Sequence, residues 1–192
     1  MDIELFNQIF FEIPEFSRSI PLLPAFKSPF EVQISLSTKR VTIYFRQKGK
    51  DGIEPGNCYL ETDCEQLDWK LSFVTQVLSQ LSLPLESVGM LRVIDCSPDD
   101  VMPGLEDVDS TQWVELFQPF THVRKLLASA RFLQGIVQAL VTEDVAAGVL
   151  PELTQLSLGK LCTPAVVDAA EQFVAARKLS SRAIQLSISK KH

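Results

Sequence analysis

Val88-Gly89-Met90-Leu91-Arg92-Val93-Ile94-Asp95-Cys96 is the stretch whose reading decides the fold. Apolar residues stand at 88, 91 and 93, and a small thiol follows at 96. Three later stretches echo it: Val123, Leu126 and Ala128; Leu153, Leu156 and Leu158; Ala183, Leu186 and Ile188. The central leucines fall at 91, 126, 156 and 186, at intervals of 35, 30 and 30. Pro84 and Pro119 each stand four residues before the opening valines Val88 and Val123. A shared offset of that kind points to repeated units rather than chance leucine spacing.

The pattern is the L-x-x-L-x-L-x-x-N/C signature of a leucine-rich repeat, in which a short strand lines the inner wall of a solenoid. It predicts an α/β protein. The architecture expected is an irregular leucine-rich-repeat solenoid: a short βα horseshoe with parallel strands on the concave face and helices outside. The intervals exceed the roughly 20–29 residues usual for the motif and leave room for a full helix in each unit. Only Cys96 keeps the N/C position, where a buried structural cysteine is expected. Its counterparts Arg131, Leu161 and Lys191 do not, so the repeats are irregular. Side chains alternate along a strand, so the residues between the leucines should face the concave wall. These are Met90 and Arg92, Lys125 and Leu127, Gln155 and Ser157, and Gln185 and Ser187. They form the candidate binding face.

Helices are predicted between the strands. Asp68 is placed to cap one carrying Leu71, Val74 and Leu78 on a single face. Ser110 is placed to cap another that presents Trp113, Leu116 and Phe117, a spacing that reads as core packing rather than an exposed anchor. Phe132, Ile136, Val137 and Leu140 mark the inward face of a third. Thr163-Pro164 opens a fourth, with Val166, Ala169, Ala170, Phe173 and Val174 as its buried stripe and Lys178 near its end.

Before residue 67 the rhythm is irregular. Alternation predicts a half-buried strand over 2–6, and Pro14 suits the first turn of a short helix over 13–20. Strands over 30–36 and 41–45 should form a hairpin through Ser37-Thr38-Lys39-Arg40, followed by an exposed loop over 48–57 and a short strand over 58–61. Opening on a strand leaves an edge without a cap. The expectation is that upstream sequence belongs to the intact unit, or that the chain is a truncated gene product. The domain reading is one leucine-rich-repeat-like domain over 1–192, with irregular N-terminal repeats over 1–66 and clearer βα repeats over 67–192.

Apolar residues make up 46% of the 192 residues and charged residues 22%, which is ordinary globular usage and excludes wholesale disorder. A net charge of −6 argues against a general nucleic-acid binder, which needs a basic face. The basic tail Lys190-Lys191-His192 reads as a solvated terminus, and the acidic connection between Ser97 and Asp109 as a solvated loop. Four cysteines without C-x-x-C spacing and two histidines predict no zinc site. With no secretory signal and no apolar run of about 18–20 residues, the expected location is cytoplasmic or nuclear, away from the membrane. There is no G-x-S-x-G elbow and no P-loop. His122, between Phe120 and Val123, reads as a structural or surface histidine. The expectation is a monomeric, non-enzymatic protein with no cofactor, whose partner is another protein.

Six phrases, taken together, resemble the leucine-rich-repeat-like region of basidiomycete fungal F-box proteins. They are Asp2-Ile3-Glu4-Leu5-Phe6-Asn7-Gln8, Ile13-Pro14, Cys64-Glu65-Gln66-Leu67-Asp68-Trp69-Lys70-Leu71-Ser72, Thr111-Gln112-Trp113-Val114-Glu115-Leu116-Phe117-Gln118-Pro119-Phe120, Val149-Leu150-Pro151-Glu152-Leu153 and Phe173-Val174-Ala175-Ala176-Arg177. They span nearly the whole chain, and the Trp113–Phe120 and Phe173–Arg177 segments are the most specific. The resemblance implies substrate-recognition repeats of a cullin-type ubiquitin ligase. The F-box that docks on the ligase adaptor is missing here, so an adaptor partner is expected only if an F-box lies upstream. The other expectation is a stand-alone structural or regulatory scaffold without ligase linkage.

Overall fold

Val32, Ile34 and Leu36 on one strand, and Val41, Ile43 and Phe45 on the next, alternate with polar residues and are fully buried. They build a hairpin of β1 (Glu31–Leu36) and β2 (Arg40–Arg46), closed by hydrogen bonds between Ser37 and the Arg40 carbonyl. The hairpin thus forms where the alternation placed it. The short strand expected after it is longer, running as β3 (Asn57–Asp63) antiparallel to β2.

The computed structural model describes residues 29–47, 57–63, 67–80, 83–97, 109–141, 149–159, 164–179 and 183–188. The expected strand over 2–6, helix over 13–20, loop over 48–56, acidic stretch over 98–108 and basic tail over 190–192 lie outside these residues.

From β3 the chain enters α1 (Leu67–Gln80) and returns as β4 (Met90–Asp95), which pairs parallel to β1. Thereafter it alternates: α2 (Ser110–Phe117), β5 (Lys125–Ala128), α3 (Ala130–Val141), β6 (Gln155–Leu158), α4 (Pro164–Leu179) and β7 (Gln185–Ile188). The seven strands form one open sheet in the order β3-β2-β1-β4-β5-β6-β7, antiparallel within β1–β3 and parallel from β1 through β7. Each crossover adds its strand on the same side of the last. With the usual right-handed connection, that march places the described helices on one face of the sheet. The helices accordingly neighbour one another in chain order and share a single core with the leucine face.

Leu91, Leu126, Leu156 and Leu186 are direct partners on adjacent, co-directional strands, and Val32 extends the row onto β1. Val32, Leu91, Leu126 and Leu156 are fully buried. Each such side chain contributes about 1.5–3 kcal/mol. Leu186, on the outer strand, is half-buried. A backbone motif repeats with the strands. The carbonyl before each strand accepts amides from the next: Phe30 from Gly89 and Met90, Gly89 from Arg124 and Lys125, and Arg124 from Thr154 and Gln155.

The predicted helix faces are inward. Leu71, Val74 and Leu78 on α1, Trp113, Leu116 and Phe117 on α2, and Phe132, Ile136, Val137 and Leu140 on α3 are all buried. On α4, Ala170 and Phe173 are buried, while Val166, Ala169 and Val174 pack against the core more loosely. Arg177 joins them: its Nη2 donates to the Val149 carbonyl at 3.1 Å, and its guanidinium lies 5.5 Å from the Phe173 ring centre. A buried guanidinium needs such acceptors, and this one fastens the turn where Leu150 has a positive φ of 45°.

Three expectations need correction. α1 begins at Leu67, so Asp68 lies inside its first turn. α2 is capped by Asp109 and not by Ser110, because the Asp109 carboxylate accepts the Thr111 amide at 3.2 Å. Cys96 is exposed: β4 ends at Asp95, and the alternation that turns Leu91 and Val93 inward assigns position 96 to the opposite face.

Candidate functional site

The face opposite the leucines has no described helix over it. The eight residues expected on the concave wall share it in two registered rows. Met90, Lys125, Gln155 and Gln185 are consecutive partners in the first, and Arg92, Leu127, Ser157 and Ser187 in the second. Each is half-buried or exposed. Neighbouring strands lie about 4.8 Å apart, so the wall from β1 to β7 is about 20 Å wide.

Pairing of β1 with β4 and of β2 with β1 extends both rows beyond the predicted set. Glu31 and Arg46 continue the first, and Gln33, Tyr44 and Tyr59 the second. Glu31 is the centre of this part. Its Oε1 lies 3.2 Å from Nη1 of Arg46 and 2.8 Å from Nε of Arg92. The Glu31 side chain is 5% exposed, against 40% for Arg46 and 34% for Arg92. A carboxylate this buried is stable only where charged donors replace its water. Thr42 and Ser35, also buried on this face, are satisfied by Glu61 at 3.3 Å and Gln33 at 2.9 Å.

Chemistry changes along the wall. At the hairpin end the Tyr44 and Tyr59 rings lie 5.9 Å apart, with Tyr59 63% exposed. Arg40 is paired with Glu61 at 2.9 Å and Asp63 at 3.0 Å. The hydrogen bond it donates to Asp63, with the charge of Glu61, holds its pKa above the ordinary arginine value. At the β7 end the wall is neutral: the Ser157 and Ser187 hydroxyls are 2.7 Å apart, and Gln155 and Gln185 flank them. The charged centre was missed from sequence because its members come from positions 31, 46 and 92. The usable signal was their equal distance from the hairpin turn: Glu31 and Arg46 are register partners.

In open α/β sheets, ligand crevices form where the winding reverses and helices pass to both faces. Here the crossovers all advance one way. His122, outside the wall, is exposed, with Nδ1 3.1 Å from the Thr121 hydroxyl and Nε2 3.7 Å from Glu152. Among the described residues no three His, Cys, Asp or Glu side chains are grouped to hold a metal ion. No described helix is long and apolar enough to cross a membrane. No family model matches the chain, and no curated protein matches it.

Proposed function

We propose that this chain is an irregular leucine-rich-repeat module whose open sheet face binds another protein, as the substrate-recognition repeats of F-box proteins in cullin-type ubiquitin ligases do. The observation that carries the reading is the pair of registered rows on a face that no described helix covers. Strands buried on both sides read as continuous apolar runs. Here one side is aliphatic and the other mixes arginine, tyrosine, glutamine, serine and leucine. Tyrosine and arginine are the residues on which protein interfaces concentrate their energy. The net charge of −6 is a poor match for nucleic acid.

The test is site-specific photo-cross-linking in cells. A photoreactive residue at Leu127 or Ser187 should give a discrete cross-linked protein, and one at Gln138 or Gln172 on the helical side should not. Equal products from both sides, or none from the wall, would overturn the proposal. Ligase subunits among the wall-specific products would support the ligase linkage, and their absence would leave an interaction scaffold.

A further inference from the structure

At the Glu31 centre two guanidiniums converge on a single carboxylate oxygen. Arg46 Nη1 and Arg92 Nε both approach Oε1, so two positive charges meet one negative charge. Among the described residues no second carboxylate pairs with either arginine. Lys125, exposed on the neighbouring strand beside Met90, adds a further cation. The centre of the wall is therefore a positive spot on a protein whose net charge is −6.

The spot is also held in place. Glu31 is nearly fully buried and accepts a hydrogen bond from Arg46 Nη1, with Arg92 Nε in ion-pair contact at 2.8 Å, while the two arginine side chains stay 40% and 34% exposed. Orientation set in advance lowers the ordering cost that a ligand would otherwise meet. We propose that this arginine pair is the receptor for a carboxylate side chain, an aspartate or glutamate on an acidic segment of the protein partner. The inference rests on the open-face reading above and adds the partner's chemistry to it.

The charge balance selects the ligand. One incoming carboxylate completes a two-by-two arrangement of guanidiniums and carboxylates. A phosphate, carrying nearly two charges, would exceed the surplus of the arginine pair over Glu31, would need Lys125 as well, and would lie beside the Glu31 carboxylate. The row through Arg92 also offers Leu127 on one side and, beyond Gln33, Tyr44 and Tyr59 on the other. An apolar residue next to the acid suits that row.

The experiment selects short random peptides on the full-length chain and measures the selected peptides by fluorescence anisotropy. Peptides enriched in aspartate and glutamate are expected, with affinity falling about tenfold or more in Arg92→Gln or Arg46→Gln. Lys125→Gln, at an exposed position, should weaken binding in the same direction without touching the fold. Lys178→Gln on α4 should change nothing, and added salt should weaken binding. Peptides blocked by Ser157→Trp but neither acidic nor sensitive to Arg92→Gln would overturn the carboxylate receptor while leaving the open-face reading intact. Peptides indifferent to every wall substitution would overturn both. Phosphorylated peptides that bind more tightly than their glutamate counterparts would also overturn the carboxylate assignment.

Discussion

A Cβ placed on Gly135 would lie 2.7 Å from Nε1 of Trp113 and 3.2 Å from its Cδ1. Glycine in a helix interior costs about 1 kcal/mol relative to alanine, so Gly135→Ala ought to stabilise α3 taken alone. Packing decides otherwise. Trp113 is 1% exposed and is held between Phe117 and Phe132, at ring-centre distances of 6.0 and 5.8 Å. The indole has nowhere to retreat, and overpacking of this kind costs about 1–3 kcal/mol. Gly135→Ala should therefore lower stability in urea unfolding, by up to about 2 kcal/mol net. An unchanged or raised midpoint would mean that the two helices can part.

Leu156 sits fully buried between its partners Leu126 and Leu186. Leu156→Ala should remove about 2–5 kcal/mol, the usual cost of such a truncation. Leu156→Asp must bury an unpaired charge as well, and its cost approaches the whole stability margin of a domain, about 5–15 kcal/mol. Loss of the cooperative melt, with hydrogen exchange opening first at β6 and β7, is the expected result. A melting curve matching the parent protein would contradict the placement of this row.

The leucine row and its outward neighbours were legible because both depend on local arithmetic. An interval of 30 or 35 residues brings Leu126, Leu156 and Leu186 back to one level, and alternation turns Lys125, Gln155 and Gln185 the other way. What was not legible depends on contacts between distant segments. Nothing near Leu36 announces that β1 lies beside β4, its register partners 59 residues on, yet that pairing brings Glu31 to Arg92. The cap of α2 was misread by one residue for a different reason: Asp109 and Ser110 are adjacent, both are good caps, and only backbone geometry chooses between them. Cys96 was misread because the repeat signature was carried past the end of β4.

Asp109 gives α2 a dependence on pH. Its carboxylate accepts the Thr111 amide at 3.2 Å and the Ser110 hydroxyl at 3.2 Å. The Thr111 hydrogen bond holds its pKa below the ordinary aspartate value. Because the folded pKa is the lower one, the stabilisation is present above the unfolded pKa and is lost as pH falls through the folded one. Amide exchange in the first turn of α2 should thus quicken on acidification. Asp109→Asn, which keeps an acceptor oxygen but does not titrate, should remove that acid sensitivity of the first turn. Persistence of the acid effect in the asparagine variant would assign it to another group.

Removing the Glu31 carboxylate should cost more than removing either of its arginines. Arg92→Gln leaves Glu31 paired with Arg46, and Arg46→Gln leaves it paired with Arg92. Glu31→Gln instead leaves two guanidiniums facing each other around a neutral amide. Hydrogen bonds to charged groups are worth about 1.5–3 kcal/mol. Arg46 and Arg92 are 40% and 34% exposed, so water screens their repulsion and the lower end applies. Like-charge repulsion is weakened by salt, whereas a packing defect is not. The deficit of Glu31→Gln relative to the parent chain should therefore shrink as ionic strength rises in urea unfolding, and more steeply than the deficits of the two arginine variants, each of which loses one attraction but also relieves the repulsion between the arginines. A salt-independent deficit for Glu31→Gln would mean that the carboxylate holds the strands by shape and hydrogen bonding alone, without restraining a pair of like charges.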